Sequence, residues 1–358
     1  MRLVDAITPR ADITEAQLIT SQGLSLVSSR MQVINLPDIT NFPALDWFFL
    51  NFGSSTSAIV DRESSLNRIG GPRTFEVAFL CFVPPNLSFD NLNPQNEWAT
   101  ILFSNTFGAR LEIRDGGELW IKHAIVDDIN TGFNVESNTM YHVVIRCIGQ
   151  TNRNTNDGFL SVWINGVEVF KSEEYIWNSS LDSRSHLEDG THNIALSGPR
   201  STDGFFFRDI LMFEGFSTTD RNDVPDFFRV DNAILTNINA ETTYTDASVD
   251  RLSDFSDATF ASGANADDVL SLDFSTEDTL GTQLIAAKVW LDKTKITFDN
   301  ADIEVNVSMQ DGSATEQVTF REVTTNSFND EYVRIDFDNS PVNNSGLNLK
   351  IINRNVIS

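Results

Sequence analysis

The sequence predicts an all-β protein, a β-sandwich followed by a smaller β-domain, and three observations carry this prediction. The first is a β-hairpin over residues 158–172, where Asn165-Gly166 separates two runs of alternating apolar residues. Asn-Gly favours a type I′ turn because both central positions of that turn need positive φ. The second is a series of short strands between residues 28 and 216, spaced about ten residues apart. The third is another strand series over residues 284–352.

The first strand series contains runs of apolar and β-branched residues separated by turn residues. Pro84-Pro85 ends the longest of these runs, and Asp115-Gly116-Gly117 predicts a second hairpin. Many short strands with turns between them are typical of an all-β sandwich or barrel. Outside the hairpin over 158–172, the predicted strands of this series are 73–83, 98–103, 109–114, 118–124, 139–148, 192–196 and 204–214.

Composition divides the chain into three segments. Residues 1–28 are predicted as an N-terminal arm, residues 29–230 as the β-sandwich and residues 231–358 as the smaller jelly-roll-like β-domain. Within the arm, capping-box spacing at residues 12–15 predicts a short helix over 15–22. So short a helix is not stable alone, so it must dock on its own domain or on a neighbouring subunit. No apolar segment typical of a secretory signal is present at the N-terminus.

The join between the two domains, residues 220–281, is strongly acidic. Between residues 231 and 281, eleven Asp and Glu residues are opposed by Arg251 alone. Such a run usually forms a solvated surface. Phe residues recur through this acidic segment, however, and apolar and polar residues alternate over 269–274, as they do in a strand. In the second strand series, Asp311-Gly312 predicts the turn between two strands.

Charge and cysteine content exclude several functions. The net charge of −26 repels phosphate, which argues against nucleic-acid binding, and no apolar run is long enough for membrane insertion. The two cysteines, Cys81 and Cys147, lie in apolar runs typical of buried free thiols. A disulfide between neighbouring strands is the alternative, and no cluster of Cys and His suggests a zinc site.

Four stretches of the first domain resemble the laminin-G-like, or concanavalin A-like, sandwich family. They are FEVAFLCFV, TMYHVVIRCIG, GFLSVWINGVEVF and GFFFRDILMFEGFSTTD, at residues 75–83, 139–149, 158–170 and 204–220. Two positions depart from the family pattern. Tyr141 stands where the family usually has Trp, and Asn165 stands where the hairpin turn usually has Asp. The second departure removes a carboxylate, which makes this turn a poor candidate for a metal site.

The order of sandwich, acidic join and jelly-roll-like module over residues 70–358 resembles structural proteins of tailed bacteriophages. That resemblance implies a non-enzymatic protein on the virion surface, as a head decoration, a head fibre or a tail-associated component, assembled in the host cytoplasm. The implied partners are capsid or tail proteins and further copies of the chain, for example in a trimer, together with host surface glycans. The alternative is a carbohydrate-binding, lectin-like adhesion module, and the remote alternative is a polysaccharide-degrading enzyme.

The sequence contains no pair of carboxylates with the spacing that a catalytic pair on one strand needs. Two catalytic carboxylates on one strand must be two or four residues apart to share a face. Glu112 and Asp115 are three apart, and Asp127 and Asp128 are adjacent. No histidine neighbours a cysteine or a serine of the nucleophile-elbow type. The expectation is therefore that the protein is not an enzyme.

The family resemblance implies two kinds of binding site. Sandwiches of this family often hold calcium at their rim through acidic and carbonyl oxygens. Chance clustering among 51 acidic residues is the alternative explanation for such groups. Lectin-like sites use aromatic platforms with amide or acid side chains, although aromatic residues on strands more often fill a core. The candidate calcium ligands are Asp115, Asp127, Asp128 and Asp203, and the candidate sugar-binding residues are Trp177, Tyr175, Asn178 and Trp98.

Overall fold

The structure is a computed structural model of the 358-residue chain. The chain folds as two compact units, Met1–Val230 and Asp231–Ser358. The residues that the structure describes are 2–8, 24–26, 31–36, 45–50, 58–60, 74–85, 87, 89, 97–103, 106–123, 128–148, 159–172, 192–196, 204–215, 233–253, 261–263, 265–275, 283–284, 286–294, 301–312, 315–320, 329–336, 342–343 and 345–355.

The first unit is a β-sandwich of two antiparallel sheets. One has eight strands in the order β13-β12-β11-β6-β15-β4-β3, with β1 pairing to β15, and the other has seven in the order β10-β9-β8-β7-β14-β5-β2. The strands are β1 (Arg2–Ile7), β2 (Leu24–Leu26), β3 (Met31–Leu36), β4 (Leu45–Leu50), β5 (Ala58–Val60), β6 (Thr74–Val83), β7 (Glu97–Phe103), β8 (Thr106–Ile113), β9 (Glu118–His123), β10 (Ile129–Asn134), β11 (Thr139–Ile148), β12 (Phe159–Ile164), β13 (Val167–Lys171), β14 (His192–Leu196) and β15 (Phe205–Gly215).

Aromatic residues join the two sheets of the first unit. Trp98 of β7 is fully buried and makes an edge contact with Phe79 of β6, the ring centroids 6.3 Å apart. Its ring also meets Tyr141 of β11 edge-on at 5.9 Å. The indole Nε1–H of Trp98 donates a hydrogen bond to Sγ of Cys81, at 3.1 Å. This cluster buries several large rings between the sheets, which is the main source of stability in such a sandwich.

The hairpin with the Asn-Gly turn is confirmed. Asn165 and Gly166 have φ of 51° and 76°, as a type I′ turn requires. The side-chain Oδ1 of Asn165 accepts a hydrogen bond from the backbone N–H of His142, at 2.8 Å, and the Asn165 N–H donates to the His142 carbonyl. The side-chain amide of Asn165 therefore ties the turn to β11.

Both cysteines are free and buried, as the sequence predicts. They lie on the paired strands β6 and β11, but Cys81 is opposite Tyr141 and Cys147 is opposite Phe75. Six positions along a strand correspond to about 20 Å, which is far too long for a disulfide. Burial raises the pKa of both thiols, so they stay protonated.

The second unit is built on a five-stranded antiparallel sheet in the order β16-β17-β24-β20-β21, and β18-β23 and β19-β22 form two further pairs. A five-residue helix, α1 (Val249–Ser253), follows β16. Its strands are β16 (Ile234–Ile238), β17 (Val269–Ser275), β18 (Gln283–Leu284), β19 (Ala286–Thr294), β20 (Ala301–Met309), β21 (Thr315–Phe320), β22 (Asn329–Asp336), β23 (Val342–Asn343) and β24 (Leu347–Asn355).

One face of the five-stranded sheet forms the core of the second unit. Alternate residues of three strands are buried there, because successive side chains of a strand point to opposite faces. The opposite face is mainly polar, although Ile352 is buried on it. The buried residues are Leu270, Leu272, Ile303, Val305, Val307, Met309, Leu347 and Leu349.

The fold class is confirmed as all-β, and strands form in parts of the acidic join and of the predicted arm. The acidic join contributes β16, α1 and β17 to the second unit, because its recurring apolar residues pack on that core. In the predicted arm, β1 pairs with β15 of the eight-stranded sheet, whereas residues 15–22 lie outside the described residues. Binding of residues 1–28 to a neighbouring subunit stays a prediction. No helix in the described part of the chain has the length and hydrophobicity to cross a membrane.

Candidate functional site

The candidate site lies on the outer face of the seven-stranded sheet, across β8, β9 and β10. Leu111, Ile113, Leu119 and Ile121 are buried in the core between the sheets. The alternate residues of the same strands therefore point away from the core. They form a mixed group of charged, amide and indole side chains, here called the Glu112 cluster: Arg110, Glu112, Arg114, Glu118, Trp120, Lys122, Asp128 and Asn130.

Glu112 is the centre of the cluster. Although it lies on the outer face, only 1% of it is exposed. Its Oε2 accepts two hydrogen bonds from Arg114, from Nη2 at 2.9 Å and from Nε at 3.3 Å. Its Oε1 has no hydrogen-bond partner and lies 3.8 Å from Nη1 of Arg110. A buried carboxylate oxygen without a donor costs about 1–3 kcal/mol, so this atom has unused capacity to accept a hydrogen bond.

Arg114 connects the carboxylates of the cluster to its indole. Its Nη2 also donates to Oδ2 of Asp128, and its guanidinium lies over the Trp120 ring, 4.2 Å from the ring centroid. Burial opposes the charged form of Arg114, but the hydrogen bonds to Asp128 and Glu112 outweigh burial and raise its pKa. Arg114 is thus a permanent cation held in one orientation, with 19% of its side chain exposed.

At the Glu118 side of the cluster, the carboxylate is hydrogen-bonded to neutral groups. Oε2 of Glu118 accepts hydrogen bonds from Nε1 of Trp120 at 2.9 Å and from Nδ2 of Asn130 at 3.2 Å. Oδ1 of Asn130 accepts from the backbone N–H of Gly132, at 2.8 Å. These bonds orient the indole and the amide, so the face presents preorganised donors and acceptors.

A tight turn between β8 and β9 sets the position of the cluster. Asp115–Gly117 forms one 3₁₀ turn in which Gly116 and Gly117 have φ of 73° and 83°. The backbone N–H of Arg114 donates to the carbonyl of Glu118, and the N–H of Val135 donates to the carbonyl of Gly117, both at 2.8 Å. A Cβ at Gly117 would lie 2.3 Å from the Val135 carbonyl oxygen. Only glycine fits there.

The prediction that Trp98 binds sugar is wrong. A sugar-stacking platform needs an exposed ring face, but Trp98 is 0% exposed and bonded to Cys81 between the sheets. It is a core residue, the fate that aromatic residues on strands usually have. The other three predicted sugar-binding residues, Trp177, Tyr175 and Asn178, lie outside the described residues.

The predicted calcium ligands do not form a site in the described part of the chain. Asp128 is paired with Arg114, which neutralises its charge, and Asp115 lies exposed in the turn. Asp127 and Asp203 lie outside the described residues. Among the residues that are described, no three His, Cys, Asp or Glu side chains are grouped so that they could hold a metal ion. Calcium binding stays a prediction.

The sequence contains a signal for the cluster that the search for carboxylate pairs passes over. Arg110, Glu112 and Arg114 recur with a period of two between the apolar Leu111 and Ile113. Such alternation puts three ionisable groups on one face of a strand. Because this pattern joins a carboxylate to cations, the spacing rule for two catalytic carboxylates does not detect it.

No protein-family model matches the chain, and no curated protein matches it in sequence. Several solved structures are similar. An endo-β-1,4-glucuronan lyase from Trichoderma reesei is 11% identical, with a TM-score of 0.37, over 52% of this chain and 89% of the lyase. A carbohydrate esterase from the Shiga toxin-encoding bacteriophage phi24B is 14% identical, with a TM-score of 0.38, over 60% and 99%. The carbohydrate recognition domain of Emp47p is 9% identical, with a TM-score of 0.33, over 60% and 97%.

These similarities concern fold and give no residue of this chain a role. They nevertheless correct the expectation that the chain is not an enzyme. That expectation, drawn from the lack of a suitably spaced carboxylate pair, does not stand, since carbohydrate-active enzymes are among the similar structures. One of them comes from a bacteriophage, but a virion role does not follow from it.

Proposed function

We propose that the first unit binds carbohydrate and that the Glu112 cluster is its binding site. The supporting observation is the meeting of a partly exposed indole with carboxylate, guanidinium and amide groups on one rigid sheet face. Sugars present apolar C–H patches that pack on aromatic rings, and hydroxyl groups that both donate and accept hydrogen bonds. A few convergent polar groups beside an aromatic surface are what orient such a ligand.

The exposed groups of the cluster suit a hydroxyl-bearing ligand. Oε1 of Glu112 is buried, so the contacts come from the partly exposed guanidinium of Arg114, the indole of Trp120 and the exposed amide of Asn130. Arg110 and Arg114 are partly exposed, with 24% and 19% of their side chains accessible, and Asn130 is exposed beside them. Because Glu112 and Asp128 hold Arg114 in place, binding costs little side-chain entropy.

The test is binding of the full chain to a glycan array, followed by calorimetry with the best ligand. Trp120→Ala removes the indole and should weaken the affinity at least about tenfold, the loss of one stacking contact. Arg251→Ala is the matched control, because Arg251 is an exposed arginine of the second unit, 45% exposed in its side chain. Absence of binding at millimolar glycan, or equal affinities of the Trp120 variant and the unchanged chain, would contradict the proposal.

The location on a bacteriophage virion surface stays a separate prediction from the sequence. It is compatible with carbohydrate binding, since a surface protein of a particle meets host glycans. Antibodies raised against the chain should label intact particles. Recovery of the protein only from infected-cell lysate, and never from purified particles, would exclude this location.

A further inference from the structure

The carboxylate of Glu118 lies beside the indole of Trp120, and its two oxygens differ. Oε2 accepts hydrogen bonds from Nε1 of Trp120 at 2.9 Å and from Nδ2 of Asn130 at 3.2 Å. No donor in the described part of the chain bonds to Oε1, and no lysine or arginine there forms an ion pair with Glu118. The side chain is partly exposed and Oε1 is not buried, so a ligand can reach this acceptor.

Asn130 supplies a donor next to this acceptor. It lies opposite Trp120 on the edge strand β10, and it is exposed. Its Oδ1 accepts from the backbone N–H of Gly132, and its Nδ2 donates to Glu118. An amide nitrogen carries two N–H groups, so the second one can donate to a ligand. Because these bonds hold the amide and the carboxylate in place, the donor and the acceptor are preorganised beside the indole.

We propose that Oε1 of Glu118 and the second N–H of Asn130 bind two adjacent hydroxyl groups of an uncharged saccharide whose ring packs on Trp120. This inference rests on the proposed function, names its ligand class and makes Glu118 the residue that determines specificity. A hydroxyl group both donates and accepts hydrogen bonds. One hydroxyl of the pair therefore donates to the carboxylate, while its neighbour accepts from the amide.

A saccharide that carries a carboxylate fits beside Glu118 less well. A carboxylate accepts hydrogen bonds but donates none, so it cannot use Oε1. The two like charges also repel each other, and within the described residues no cation is paired with Glu118 to offset this repulsion. The net charge of −26 repels an anionic ligand at longer range as well. We therefore expect neutral saccharides to bind more tightly than the corresponding uronates.

The experiment uses methyl glycosides, because their hydroxyl groups can be blocked one at a time. The methyl α-glycosides of glucose, mannose and galactose are titrated into the full chain, beside derivatives in which one ring hydroxyl is O-methylated. We expect at least one parent glycoside to bind. Blocking the hydroxyl that donates to Glu118 should lower the affinity about tenfold, since a hydrogen bond to a charged group is lost.

Glu118→Gln separates a direct contact from a structural role. This variant keeps the size of the side chain and removes its charge, and it should lower the affinity for the parent glycoside about tenfold. The affinity for the blocked derivative should stay the same, because the hydrogen bond is already absent there. The matched control is Glu168→Gln, at an exposed position on β13 in the other sheet, and it should change neither affinity. Circular dichroism of both variants confirms that they fold.

The outcomes separate this inference from the proposed function. Equal weakening of the parent and the blocked glycoside by Glu118→Gln would show that Glu118 only positions its neighbours, and an unchanged affinity would show that it takes no part. Either result overturns the inference but leaves carbohydrate binding through Trp120 intact. Tighter binding of the methyl glycoside of glucuronate or of glucosamine than of glucose would overturn the uncharged class. If no glycoside or glycan binds, the inference and the proposed function fail together.

Discussion

The polar faces of two sheets, one in each unit, differ in how fully their side chains satisfy one another. In the second unit, Oδ1 of Asp273 accepts from Asn239 at 3.0 Å and from Asn348 at 2.9 Å, and Oδ2 accepts from Asn237 at 3.3 Å. In the first unit, one oxygen of Glu112 takes two bonds from a single arginine and the other takes none.

This difference separates a structural polar surface from a candidate site. Within the described part of the second unit, no buried side-chain nitrogen or oxygen lacks a hydrogen bond. The fully buried Ser271 donates to Glu241, which also pairs with Lys350 at 2.9 Å. Such a network is satisfied without a ligand. The Glu112 cluster instead combines a partly exposed indole with a buried carboxylate oxygen that accepts no hydrogen bond.

The largest expected effect is from Glu112→Ala. Removing this carboxylate leaves Arg114 with Asp128 alone in a partly buried position. We expect the free energy of unfolding of the first unit to fall by about 3 kcal/mol, the low end of the range for breaking a buried ion pair, because one partner remains. Hydrogen–deuterium exchange of peptides from each unit measures the loss. Equal loss of protection in both units, or none in β8 and β9, would contradict the central role of Glu112.

Gly117→Ala tests the turn that positions the cluster. The new Cβ would meet the Val135 carbonyl oxygen at 2.3 Å, and φ of 83° is unfavourable for alanine. We expect a cost of about 3 kcal/mol from strain and clash together. The matched control is Gly312→Ala in the second unit, where φ is 74° but nothing lies within 4 Å of the Cβ. That change should lower the free energy of unfolding, measured by urea denaturation, by only about 1 kcal/mol. Similar costs at both positions would show that the clash between the new Cβ at position 117 and the Val135 carbonyl is relieved.

Acid should affect the two units over different pH ranges. Burial lowers the pKa of His142 in the first unit to about 4. Because the unfolded chain binds this proton more readily, the contribution of neutral His142 is complete above about pH 6.5 and is lost as pH falls toward 4. We expect the first unit to lose about 2 kcal/mol between pH 7 and pH 4.5. His142→Gln should remove this slope, and an unchanged slope would assign it to other groups.

The smallest effect is expected for Asp273→Asn on the polar face of the second unit. Burial opposes the ionised form, but hydrogen bonds from Asn348, Asn239 and Asn237 outweigh it and lower the pKa of Asp273. Its contribution is therefore present above the usual carboxyl pKa and is lost as pH falls through the lowered value. The substitution should cost about 1 kcal/mol at pH 7, the size of a typical hydrogen bond, in urea denaturation. A loss as large as that of Glu112→Ala would remove the contrast between the faces.

Local patterns predicted most of the strands but not the site. Runs of apolar residues predict the strands that end at Val83 and Ile148, and turn chemistry predicts the turn at Asn165-Gly166. Both signals depend only on neighbours in sequence. β10 was missed because INTGFN is polar and has Gly132 at φ of 76°. The sugar-binding role given to Trp98 failed because exposure is set by the opposite sheet and not by the loop beside it.

The sequence by itself determined that this protein is all-β and that its cysteines are buried thiols. Alternation along a strand also put Arg110, Glu112 and Arg114 on one face. Only the tertiary structure decided which other side chains meet these three residues on that face. The register of β8 with β9 sets Lys122 opposite Arg110, and the start of β10 brings Asp128 to Arg114. These contacts join residues up to fourteen positions apart, and strand register is a property of the folded sheet that no single strand contains.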